Sequence, residues 1–180
     1  MIHICSQRWR SQNKKDSKMK KILTGIILGM VSISANADNI VVTQAKNAGV
    51  KQCLSAIEKV SEFIIGDGSA GSHSIWNTDS PDKQAFSVMI ERNYSDGTVV
   101  TNLNVAPVAN GACYAEYEKI MYYTKSCLAV SHELKDSTYK GELNKEVGVI
   151  DHDGVNVYLM PAGNNCIAVR KETISNAQNL

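Results

Sequence analysis

Several signatures that would place a chain by its chemistry are missing. No C-x-x-C occurs, so neither a thioredoxin-like redox site nor a zinc knuckle is indicated. Gly66 to Gly71 is Gly-rich. It lacks the Lys and hydroxyl of a phosphate-binding loop and follows a helical pattern, which argues against a phosphate cradle. Asp151-His152-Asp153-Gly154 looks like the start of a calcium loop, but Gly154 comes too early. A hairpin turn accounts for it better. No G-x-S-x-G nucleophile elbow is present. These gaps leave no residues to expect as metal ligands, catalytic groups or cofactor contacts. No internal repeat is visible. Lys and Arg form no cluster after residue 37, so nucleic acid and anionic membranes are not expected partners.

Long apolar runs are also scarce. The longest apolar stretch lies in Met19 to Ala37, MKKILTGIILGMVSISANA. Lys20 and Lys21 make a positive start, Ile22 to Ser34 an apolar middle, and Ala35-Asn36-Ala37 a small-x-small cleavage site. A membrane span needs about 20 apolar residues. Thr24, Gly25, Gly29 and Ser32 interrupt this shorter run. The expectation is a cleavable export signal at 19–37, preceded by an upstream extension or mis-assigned start at 1–18. The mature domain would cover 38–180 and would be periplasmic or secreted, with no transmembrane segment after cleavage.

Removing 1–37 changes the charge. The whole chain carries 19 Lys+Arg and 18 Asp+Glu; seven basic residues and one acidic residue fall in 1–37, leaving 12 against 17 and a net charge of −5. Five Cys become four: Cys53, Cys113, Cys127 and Cys166. An even count in an exported chain reads as two disulfides. Spacing cannot choose among three pairings. Cys113–Cys127 with Cys53–Cys166 is favoured, the first closing a short loop worth roughly 3 kcal/mol in the chain-entropy treatment.

Periodicity outlines the fold. Val50, Cys53, Ile57, Val60 and Ile64 step by three and four, which predicts one helix over 43–65. Thr43 is the expected N-cap and Gly66 the residue just past the end. Residues 66–83 show no regular period and read as a long loop. Alternation then predicts strands from Phe86 to Glu91 and from Val99 to Val105, with Asp96-Gly97 as a hairpin signal between them. Asn110-Gly111 marks a second turn, and 112–124 a long central strand. Ser126 to Leu134 reads as a short helical turn, 135–145 as a polar loop or edge segment. Val147 to Ile150, Asp153-Gly154 and Val155 to Met160 read as another hairpin. Pro161 to Asn165 form a turn, Cys166 to Lys171 the last strand, and 172–180 a frayed tail. The expected class is α+β: one N-terminal amphipathic helix on a curved antiparallel sheet of five or six strands, with two disulfides.

Two features remain as candidate partner-binding sites. The first is the 66–83 loop with His73, Ile75 and Trp76. Trp is a favoured interface anchor, although Ile75 and Trp76 could instead plug the core. The second is the tyrosine set of the central strand, with Tyr114 and Tyr122 on one face. Tyr supplies contact area at low entropic cost, although cross-strand packing is the commoner use. Glu116 and Glu118 share a face and read as solvated. The leading expectation is a small exported, non-catalytic binding protein that holds a protein partner, such as an inhibitor or immunity-type protein. Alternatives are a small hydrolase-like enzyme using His73 and its loop, and a structural protein of the envelope.

Overall fold

The computed structural model describes residues 39–174 and Ala177. The expected signal at 19–37 and the upstream segment lie outside these residues. Instead of one helix over 43–65, two form: α1, Ile40–Ala48, and α2, Leu54–Ile65. The break is set by Gly49, whose φ of 90° lies in the left-handed region. Gly49 N–H donates to the Lys46 carbonyl and Val50 N–H to that of Ala45. This double closure stops a helix and turns the chain. Pro81 sits where a Cβ on Gly49 would be, 3.3 Å away. Asn39, not Thr43, caps α1, accepting from the Val41 N–H at 3.0 Å. Gly66 ends α2 as expected, its N–H reaching the Glu62 carbonyl at 2.7 Å.

Among the described residues eight strands follow, two more than the upper expectation. They are β1 (Gly71–Ile75), β2 (Phe86–Tyr94), β3 (Gly97–Pro107), β4 (Cys113–Tyr123), β5 (Thr138–Glu142), β6 (Gly148–His152), β7 (Val155–Ala162) and β8 (Asn165–Ile174). A third helix, α3 (Cys127–Glu133), lies between β4 and β5. Ser126 caps it by accepting from the Ala129 N–H. One antiparallel sheet takes the order β1-β2-β3-β4-β8-β7-β6-β5, which places β4 centrally. The Asp96-Gly97, Asn110-Gly111 and Asp153-Gly154 turns all form where the sequence signals them, with Asn110, Asp153, Gly111 and Gly154 at positive φ.

The 66–83 segment is not wholly irregular, because β1 runs through it. Its inward side chains are Ser72 and Ser74, which meet Gln44 of α1 by hydrogen bonds rather than by apolar packing. Asp82 holds the rest of the loop, its carboxylate accepting the Lys51 and Gln52 N–H groups at 2.7 Å each. These bonds hold the Asp82 carboxyl below its ordinary range, that of Gln52 contributing most. The tail is also more ordered than expected. Residues 172–174 belong to β8, and Ala177 is fully buried.

Among the described residues, α1, α2 and α3 lie on one side of the sheet. The stripe Val50, Cys53, Ile57, Val60 and Ile64 is buried against Phe86, Val88, Ile90, Leu103 and Val105, as the helix-on-sheet pattern anticipates. A second cluster joins Val130 of α3 to Ile150, Val157, Leu159, Cys166 and Ala168.

The disulfides overturn the favoured pairing. Cys53 binds Cys113, and Cys127 binds Cys166. In each case the start of a helix is tied to the start of the last strand of a four-stranded meander. This exposes an internal duplication that the sequence reading misses. Each half has a helix, α2 or α3, followed by four strands, with α1 an addition ahead of the first half. Each third strand begins at or just after an Asp-Gly turn and carries a Pro, Pro107 or Pro161, directly opposite the disulfide Cys of the fourth. Each fourth strand carries Cys-x-Ala, Cys113-Tyr114-Ala115 and Cys166-Ile167-Ala168. Lys171 follows Cys166 at the same interval as Glu118 follows Cys113, and Glu118 and Lys171 are directly paired across β4 and β8. A pseudo-two-fold axis therefore passes between them.

Candidate binding surface

The face away from the helices is uncovered among the described residues. Antiparallel register fixes which side chains share it, because directly opposed residues project to the same side. On β4 it holds Tyr114, Glu116, Glu118, Ile120 and Tyr122. Near the axis, Lys171 Nζ lies 2.9 Å from both Glu116 and Glu118. Its hydrogen bonds to Glu118 and then Glu116 raise the lysine above its ordinary value. On the helix side of the same centre, Arg170 Nε donates to Glu172 at 2.7 Å. Tyr117 is buried there, and burial, followed by its hydrogen bond to Glu172, pushes its hydroxyl up.

The five residues singled out from sequence do not meet in one patch. His73 and Ile75 are exposed on edge strand β1, and Trp76 follows it, 37% exposed. Ile75 pairs with Ser87, and that row continues through Asn104 and Glu116. His73 pairs with Met89, whose row leads to Asn102 and Glu118. Tyr114 stands near the Ile75 end of the sheet. Tyr122 is eight residues along β4 from Tyr114, about 27 Å at strand rise.

Around Tyr122 the uncovered face changes character. Val100, Ile120, Val169, Tyr158 and Val149 are paired in succession across β3, β4, β8, β7 and β6. The neighbouring row contains Tyr122, Ile167 and Met160. Tyr122 is 57% and Met160 41% exposed, the others half-buried. The pseudo-axis relates this end to the Tyr114 end. Val169 corresponds to Glu116, Ile120 to Thr173, Tyr158 to Asn104 and Met160 to Ala106. These four fold positions are therefore polar or small at the Tyr114 end and apolar at the other, whereas Ile167 corresponds to Tyr114 itself.

A cleft of about 520 Å³ opens at the ends of β2, β3 and β4 on this same end of the sheet. Its volume falls in the range of ordinary ligand pockets. Val99 and Met121 are directly paired. Extending that register by two residues sets Gly97 beside Tyr123, with Tyr94 opposite Gly97 on β2. Two tyrosines thus stand on either side of a residue without a side chain, and a Cβ at Gly97 would meet nothing within 4 Å. Arg92 stacks on Tyr94, 4.8 Å from the ring centroid. Lys125 lies 5.7 Å from the centroid of Tyr123 and is paired with Glu133 of α3. Asp96, Thr98, Tyr122 and Thr124 complete the lining. Thr98 and Tyr122 belong to both cleft and open face, so the two surfaces are continuous.

Chemically this end offers aromatic and apolar contact area with an acidic margin. The four cysteines described are disulfide-bonded, which removes them as nucleophiles. Among the described residues no three His, Cys, Asp or Glu side chains are grouped to hold a metal ion. Tyr122 is the one sequence-derived candidate at this end. Tyr94, Val99, Met121 and Tyr123 are visible as types in the sequence, but only strand register brings them together. Comparison with family models, curated proteins and solved structures finds no match to the chain.

Proposed function

We infer that this is an exported, non-catalytic binding protein that holds a protein partner against the Tyr122 end of its sheet. The observation that carries this reading is the asymmetry of the uncovered face. The duplicated architecture tolerates Glu116, Thr173 and Asn104 at the Tyr114 end, so folding does not require Val169, Ile120 and Tyr158 at the other. An uncovered apolar cluster beside a cleft is the kind of surface that interfaces use. Two disulfides fit an oxidising compartment. Among the described residues no helix is long and apolar enough to cross a membrane, which is compatible with that placement.

Site-specific photo-crosslinking tests the reading. A photoreactive phenylalanine analogue in place of Tyr122, expressed in the native host, should yield a discrete protein adduct. The same analogue in place of Tyr114 should yield none. Adducts from Tyr114 alone would move the site to the other end, and none from either position would remove the reading.

A further inference from the structure

We propose that the Tyr94–Tyr123 cleft receives an apolar side chain, aromatic or long aliphatic, from a segment of the partner in which basic residues flank that anchor. This rests on the binding reading above and specifies the chemistry of its partner. The apolar half of the argument is the cleft itself. Gly97 leaves a gap between two tyrosines, and Val99 and Met121 floor it. Interface energy concentrates in side chains that fill such pockets.

The basic half comes from charge at the mouth. Glu133 is neutralised by Lys125. Asp96 lies exposed on the β2–β3 turn, with no ion pair or hydrogen bond among the described residues. Glu91 stands exposed on the uncovered face, directly opposite Val100 at the end of the apolar row; its one hydrogen bond comes from Asn93, an uncharged donor. The two cations nearest the cleft, Arg92 and Lys125, are both turned onto tyrosine rings. Residues 38–180 carry a net charge of −5 (12 basic, 17 acidic). The margin therefore favours Lys or Arg beside the anchor and disfavours acids, with a salt-dependent contribution.

Peptide titration followed by NMR tests this on the folded, oxidised protein. The probes are acetyl-Lys-Phe-Lys-amide, acetyl-Lys-Ala-Lys-amide, acetyl-Glu-Phe-Glu-amide and acetyl-Gly-Phe-Gly-amide. The Lys-Phe-Lys probe should bind saturably and shift the signals of Tyr94, Val99 and Met121. Replacing its Phe by Ala, or its Lys by Glu, should weaken binding at least tenfold. Asp96→Asn should weaken Lys-Phe-Lys about threefold or more and weaken Gly-Phe-Gly by a smaller factor. Equal affinity for the Glu-flanked probe, or shifts confined to residues outside the cleft, would overturn the proposal. A crosslinked partner at Tyr122 with no peptide in the cleft would sink the cleft proposal alone. Peptide in the cleft with no crosslinked partner would sink the binding-protein reading and, with it, the assignment of the cleft to a protein partner.

Discussion

Removing the two disulfides one at a time gives a quantitative test of the duplicated fold. Cys53–Cys113 spans 60 residues and Cys127–Cys166 spans 39. In the chain-entropy treatment these loops restrict the unfolded chain by about 4.3 and about 3.9 kcal/mol at 25 °C. The two loops follow one another along the chain and share no residues. Their effects on the unfolded state should therefore add, giving about 8 kcal/mol for the double removal. That is comparable to the whole stability of an ordinary domain. The assay is urea unfolding of Cys53→Ala/Cys113→Ala, of Cys127→Ala/Cys166→Ala and of the quadruple variant. Peptide mapping of the oxidised wild type accompanies it. Each double variant should stay folded with similar losses, and the quadruple variant should be largely unfolded. A Cys113–Cys127 cross-link in the map, or a stable quadruple variant, would refute the reasoning. Nested loops, as in Cys53–Cys166 around Cys113–Cys127, would not give additive losses.

Other outcomes follow from individual residues. Ile57→Ala empties a fully buried site between α2 and the sheet and should cost about 2–5 kcal/mol in urea unfolding. Asp82→Asn keeps an acceptor for the Lys51 and Gln52 N–H groups but removes the charge they favour. The folded carboxyl titrates below its unfolded value, so its contribution is present above about pH 4 and is lost as pH falls through the folded value. The stability gap between wild type and Asp82→Asn should be constant near neutrality and close in acid; a gap that widens in acid would contradict the sign. Ile120→Thr with Val169→Glu installs the residues found at the pseudo-symmetric positions. It should lower stability by about 1 kcal/mol or less, as surface changes do, when measured by thermal melting.

The parts legible in the sequence are those governed by local chemistry. Asp96-Gly97, Asn110-Gly111 and Asp153-Gly154 each specify a turn through backbone conformation, and each forms. The stripe from Val50 to Ile64 is buried as read, although Val50 and Cys53 lie outside the helices. The Gly49 closure interrupts the helix without taking these side chains off the buried side, so periodicity alone could not reveal the break. β1 escaped because its inward residues are Ser72 and Ser74, satisfied by Gln44 instead of by apolar contact. The edge strand β5 reads only as a polar loop or edge segment over 135–145, because its residues are nearly all exposed and leave no alternation to read. The disulfides and the duplication are non-local. Their clue was the recurrence of Asp-Gly, Pro and Cys-x-Ala, hidden by the different lengths of β3 and β7. Tyr122 was legible as an exposed aromatic on a central strand. The cleft beside it was not, because Tyr94, Gly97 and Tyr123 come from three strands and meet only through register.

The most direct test of the binding surface combines the symmetry-guided substitution with crosslinking from Tyr122. Wild type carrying the photoreactive analogue at Tyr122 should give an adduct in the native host. The Ile120→Thr/Val169→Glu variant, with an unchanged fold by circular dichroism, should give at most a tenth as much. An equal yield from the variant would contradict the claim that the apolar end of the sheet holds the partner.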